Sequence, residues 1–173
     1  MGLAALLSAC GPSASERQPA PETGVMRLTS TAFAPGATIP AEFTCAGAGI
    51  SPPLAWTDPP AGTKSFALVV EDPDAPGGVF RHWGVYDIPA DRHALAAGAA
   101  SSTEAGTRTV NDFGKSGYGG PCPPPGDPHH YAFRILALDV AHLPGAPAHA
   151  SGLIDAIDGH VLASADVVGL YGR

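Results

Sequence analysis

Apolar positions fall in a few short runs separated by turn-forming residues. Ser65 to Glu71 (SFALVVE) is apolar at both parities, which predicts a strand covered on both faces. His82 to Ile88 (HWGVYDI) predicts a second strand. Tyr131 to Asp139 (YAFRILALD) predicts a third, with Tyr131, Phe133 and Ile135 on one parity, and Ala165 to Tyr171 a fourth. Leu153, Ile154, Ile157 and Val161 recur at helical spacing and predict one helix between Ser151 and Leu162, with Gly159 as a break. There is no heptad pattern or internal repeat.

The connections decide which side chains can meet. Asp72 to Arg81 contains Pro73, Pro76, Gly77 and Gly78 and reads as a turn. If the strands it joins pair as an antiparallel hairpin, Asp72 comes to lie near His82. The third strand opens with His129, His130 and Tyr131 after a rigid GGPCPPPGDP stretch. Placed in the same sheet, its start gathers Asp72, Asp74, His82, His129 and Tyr131 around one opening.

Composition narrows the class. The chain has 173 residues, enough for one domain with a real core. Its 22 glycines and 19 prolines disfavour helix, while 45% hydrophobic and 14% charged content excludes disorder, so the expectation is a loop-rich, mostly β protein. A formal net charge of −7 provides no basic field for nucleic acid. No apolar run is long enough to span a bilayer, so a membrane link has to come from an anchor.

The amino terminus offers one. Residues Leu3 to Leu7 are apolar and lead into Ser8, Ala9 and Cys10, an order that resembles a bacterial lipobox, whose cysteine carries the lipid. Met1 to Ala9 has no Lys or Arg, so a start codon further upstream is expected; the plain alternative is an uncleaved terminus with an incidental cysteine. The division that follows is a signal segment at 1–10, a Pro-, Ser- and Ala-rich tether at 11–24 and a folded domain at 25–173. The localisation expected is the cell envelope, lipid-anchored and facing the periplasm. Such a compartment permits Cys45 and Cys122 to pair, although two buried, reduced thiols satisfy the sequence equally well.

Five segments carry a resemblance: FTCAGAGISPPLAW from Phe43, VVEDPDAP from Val69, HWGVYDIPA from His82, NDFGKSGYGGPCPPPGDPHHYAF from Asn111 and the ending DGHVLASADVVGLYGR. Together they resemble the phosphatidylethanolamine-binding protein family, in its bacterial branch called Raf kinase inhibitor-like or YbhB/YbcL-like. The resemblance implies a central antiparallel-rich sheet, a second smaller sheet and one or two short helices. It also implies a small anion pocket built from Asp72, Asp74, Pro76, His82, Gly120, His129 and Tyr131, able to hold phosphate, phosphorylated small molecules or a phosphatidylethanolamine head group. Where the family has His-Arg-Tyr, this chain has His129, His130 and Tyr131, which replaces a fixed positive charge with a group that titrates near neutrality.

The chemistry of such a pocket can be reasoned from its residues. A carboxylate repels phosphate, so Asp72 is expected to orient His82 by accepting from one ring nitrogen, leaving the other for the ligand. Tyr131 would add a hydroxyl donor and Gly120 an unobstructed backbone N–H. Without Lys or Arg in the set, binding is expected to be weak and to fade as pH rises through the histidine pKa. The plainer readings are loop capping by Asp72 and Asp74 and simple core filling by His82. His93, His142 and His149 read as surface residues and His160 as part of the helix end.

The expectation is therefore a binding protein without catalytic residues, cofactor or bound metal, with a homodimer left open. Two rivals are a protein-interaction module acting on a protease or kinase, and a metal-dependent hydrolase using the converging Asp and His side chains. Against the second, the chain has no His-Glu-x-x-His helix, no Cys-x-x-Cys pair and no Gly-x-Ser-x-Gly turn.

Overall fold

The computed structural model describes residue 1, residues 25–102 and residues 105–173. Cys10, read as a lipobox cysteine, and residues 11–24, read as a tether, lie outside the described residues. The strands are β1 (Arg27–Thr29), β2 (Leu54–Thr57), β3 (Ser65–Asp72), β4 (Phe80–Pro89), β5 (Ala94–Leu95), β6 (Thr107–Arg108), β7 (His129–Leu138) and β8 (Val161–Tyr171), with one helix, α1 (Ala150–Ile157). Short 3-10 turns occupy Ala41–Phe43 and Ala99–Ser101.

Five strands form the main sheet in the order β6-β4-β3-β7-β8, and β1-β2-β5 form a smaller one. Every pairing between these strands is antiparallel. The small sheet contributes Leu28, Leu54, Trp56 and Leu95 to a core shared with Phe66, Leu68, Val70, Trp83, Phe133 and Ile135 of the main sheet. On the opposite face, Leu153 and Ile157 of α1 cover Ala67, Val69, Tyr86, Leu136 and Leu138. β3 is thus buried on both faces, as its unbroken apolar run requires.

Two corrections concern α1 and β8. The helix ends at Ile157 rather than Leu162, because Gly159 takes a positive φ of 79° and Val161 opens a strand paired to Leu138. Val161 matched the helical spacing, yet it belongs to β8. His160, expected at a helix end, lies in this turn with Nδ1 2.9 Å from Oδ1 of Asp139. Among the described residues no helix is long and apolar enough to cross a membrane.

The register of β4 positions the site. Val70 pairs with Trp83 and Glu71 with Arg81, so His82 is the extra residue of a β-bulge. Regular alternation would put His82 and Trp83 on opposite faces. A bulge swings the extra residue toward the face of its neighbour. His82 thereby joins the face that carries Val70 and Asp72 on β3 and Phe133, Tyr131 and His129 on β7.

Candidate functional site

At the end of that core face lies a cavity of about 150 Å³, floored by Asp72, His82, His129 and Tyr131 and walled by Pro76, Phe80, Phe113 and the Cys122–Pro124 segment. Three elements supply the polar groups: Asp72 closes β3, His82 is the bulge of β4, and His129 and Tyr131 open β7.

His82 is 2% exposed, and its ring meets Phe80, Phe113 and Tyr131 at centroid distances of 5.1, 5.3 and 5.2 Å. Nδ1 lies 2.8 Å from the carbonyl oxygen of Gly119. A carbonyl only accepts, so Nδ1 carries the proton and Nε2 is the nitrogen left for a ligand. Burial pushes the His82 pKa below the ordinary imidazole range, against the opposing pull of the Gly119 carbonyl and the Asp72 and Asp112 charges. The expectation that Asp72 orients His82 is therefore corrected: a backbone carbonyl does so.

Asp72 has other partners. Its Oδ2 lies 2.8 Å from Nδ1 of His129, and its Oδ1 accepts the N–H of Asp74 at 2.9 Å, closing the Asp-Pro-Asp turn. Since the carboxylate accepts from Nδ1, His129 also has Nε2 left over. The hydroxyl of Tyr131 is fully buried and has no partner within hydrogen-bond distance among the described residues. Burial, then the Asp72 charge and a long, weak interaction of the hydroxyl with that carboxylate, raise its pKa above the ordinary tyrosine value, so it remains a neutral donor.

Of the seven residues expected, Asp72, Pro76, His82, His129 and Tyr131 line the cavity, and Asp74 and Gly120 do not. Asp74 borders an adjoining depression with Pro124–Pro128 and His130. Its Oδ2 accepts both the N–H and Nδ1–H of His130 at 2.8 Å, contacts that lower its pKa, the backbone bond most. His130 is solvent-facing, with 59% of its side chain exposed, and does not line the cavity. Gly120 is glycine because a Cβ there would come within 2.9 Å of the Phe43 carbonyl oxygen and the Thr44 backbone.

That close approach has a covalent reinforcement. Cys45 and Cys122 form a disulfide with a Cα separation of 5.4 Å, the Cys45 N–H donates to the Pro121 carbonyl at 3.1 Å, and the Tyr118 hydroxyl donates to the Phe43 carbonyl at 2.8 Å. Together they fix the loop that brings the Gly119 carbonyl to His82.

Sequence reasoning passed over Phe80, Phe113 and Asn111. Asn111 is 2% exposed and fully engaged. Its Nδ2 donates to the Gly117 carbonyl at 2.9 Å, and its Oδ1 accepts from the N–H groups of Phe113 and Lys115 at 3.0 and 3.1 Å. This turn sets Phe113 against His82. A buried-type amide followed by Asp-Phe-Gly was the available signal. His142, read as an unpartnered surface residue, has Nδ1 3.2 Å from Oδ2 of Asp87.

A two-sheet β fold with one histidine-floored cavity at the end of its core face is the class that these observations define. The family model for phosphatidylethanolamine-binding protein matches residues 29–172, and the chain belongs to that family. It is 45% identical over 154 residues to a UPF0098 protein of Aquifex aeolicus, covering 86% of this chain and 90% of that one. The solved structure of Escherichia coli YbcL superposes with a TM-score of 0.80 at 34% identity, covering 87% of this chain and 99% of that one. A phosphatidylethanolamine-binding protein homologue from Chlamydia trachomatis gives 0.78 at 40% identity over 86% and 98%. The chain is also 46% identical over 125 residues to LppC of Mycobacterium tuberculosis, named as a lipoprotein, spanning 60% of that protein's length.

Proposed function

We propose that the cavity binds the oxyanion of a small phosphorylated molecule or phospholipid head group, without chemistry, on a lipid-anchored protein of the cell envelope. The observation that carries this reading is the Tyr131 hydroxyl, a buried donor on the cavity floor with no partner within hydrogen-bond distance among the described residues, its ring 5.2 Å from that of His82. A buried polar group left unpaired costs about 1–3 kcal/mol, which an oxyanion accepting its proton recovers. His82 Nε2 accepts from a protonated phosphate oxygen, or donates once it is itself protonated.

The same groups argue against catalysis. The Tyr131 hydroxyl has a raised pKa and is a poor nucleophile, Cys122 is held in a disulfide, and His82 leans on a carbonyl rather than on a carboxylate that would stabilise an imidazolium. Among the described residues no guanidinium or ammonium lines the cavity, so the affinity is modest and pH-dependent. The disulfide suits an oxidising compartment, and a lipoprotein-named relative together with the lipobox at Cys10 supports the anchored placement.

Calorimetric titration of the wild type and His82→Ala with inorganic phosphate and with phosphoethanolamine, at pH 5.5 and 7.5, tests the reading. Saturable binding that is stronger at pH 5.5 and lost in the variant is expected. Absence of binding to either compound at both pH values would overturn it.

A further inference from the structure

A second cavity, of about 190 Å³, lies between the two sheets' loops and is lined by Ile50, Ser51, Ala100, Ser101, Arg108, Ser116 and Tyr118. None of these residues lines the histidine-floored cavity. Arg108 closes β6 opposite Val85. Among the described residues its side chain makes one hydrogen bond, from Nη1 to the Ala100 carbonyl at 3.3 Å, and no carboxylate pairs with it. The contrast with Arg81 is direct, since that side chain has both Glu71 and Asp112 within 4 Å. Asp87 shares an adjoining depression with Arg108, but its oxygens are occupied by the Leu143 N–H and by His142.

The hydroxyls around Arg108 leave donors facing the same space. Ser51 is 1% exposed and its Oγ accepts the Ala100 N–H at 3.1 Å, so its proton remains to be donated. Ser116 adds a hydroxyl from the opposite loop, while Ser101 and Tyr118 already donate to the Gly98 and Phe43 carbonyls. A partly buried guanidinium with no counter-ion among the described residues, beside two hydroxyl donors, is an incomplete ion pair.

We infer that this cavity is a second ligand site, and that it takes a monocarboxylate. One fixed positive charge in a chain of net charge −7 neutralises one negative charge, so a singly charged carboxylate fits it and a phosphate dianion does not. The planar fork of Arg108 matches the two oxygens of a carboxylate, and Ile50 and Ala100 offer an apolar wall for a short alkyl or aryl remainder.

The test is an NMR titration of the full chain with butyrate, and in parallel with inorganic phosphate, at pH 7.5. Saturable butyrate shifts at the amides of residues 49–51, 98–101 and 116 and at Arg108 Nε are expected, weakened at least tenfold in Arg108→Met. That variant is expected to keep the phosphate response of His82. Should it fail to fold, Ser116→Ala, an exposed change, is expected to weaken butyrate severalfold. No saturable butyrate response, an equal response in the variants, or phosphate outcompeting butyrate at these residues would each overturn the inference.

Discussion

Oδ2 of Asp72 lies 2.8 Å from Nδ1 of His129, joining the last residue of β3 to the first of β7 across the floor of the cavity. The pair fixes one imidazole while the Gly119 carbonyl fixes the other, so both histidines present Nε2. The side chains of Asp72 and His129 are only 5% and 13% exposed, so removing one strands the other. Asp72→Ala should lower stability by about 1–3 kcal/mol in urea unfolding, and His129→Ala should do so by less, because the turn bond from Asp74 N–H to Asp72 survives it.

Tyr131→Phe separates stability from function. Deleting a buried hydroxyl that has no partner should leave unfolding stability unchanged or raise it by up to about 1 kcal/mol. Loss of its hydrogen bond to a charged ligand should weaken phosphate binding by about tenfold or more. Parallel urea melts and phosphate titrations check both halves, and a strongly destabilised variant would mean that the hydroxyl is satisfied internally.

His82 gives stability a defined pH dependence. Its folded pKa lies below the unfolded value, so the unfolded chain takes up a proton first as pH falls through the ordinary imidazole range. Its contribution to stability therefore declines from that range downward and levels off once pH is below the folded pKa. The difference in unfolding free energy between wild type and His82→Gln, measured from pH 7.5 to 4.5, should follow that course. Ligand binding runs the other way and strengthens over the same interval, because the oxyanion favours the imidazolium.

The disulfide should couple redox state to the site. It closes a sequence separation of 77 residues, so Cys45→Ser with Cys122→Ser should cost about 2–5 kcal/mol. Freed from Cys45, the loop carrying the Gly119 carbonyl and Pro123 loosens against His82. Reduced protein should bind phosphate more weakly than oxidised protein while keeping its far-ultraviolet circular dichroism.

Much of this site was legible from the order of strands and turns. The turn between β3 and β4 and the opening of β7 in the same sheet placed Asp72, His82, His129 and Tyr131 at one edge, and the parity of Tyr131 with Phe133 fits the core face. The bulge was not legible, because simple alternation puts His82 on the wrong side of β4 and the displaced register depends on pairing with β3. The orienting group of His82 was also hidden, since a backbone carbonyl has no signature in a sequence. β1, β2, β5 and β6 are only two to four residues long, too short for any period to declare itself. Gly120 lies in the expected loop, and its missing Cβ makes room for the Phe43–Thr44 backbone, a packing reason that no motif announces.

The central claim is that His82 offers a bare Nε2 to an oxyanion, and nitrogen-15 NMR of its imidazole across pH, with and without phosphate, reads this directly. The account expects a protonated Nδ1 and an unprotonated Nε2 at neutral pH, with an apparent pKa below the ordinary imidazole range that rises on adding phosphate. A proton on Nε2 in the free neutral protein, or a pKa indifferent to phosphate, would contradict it.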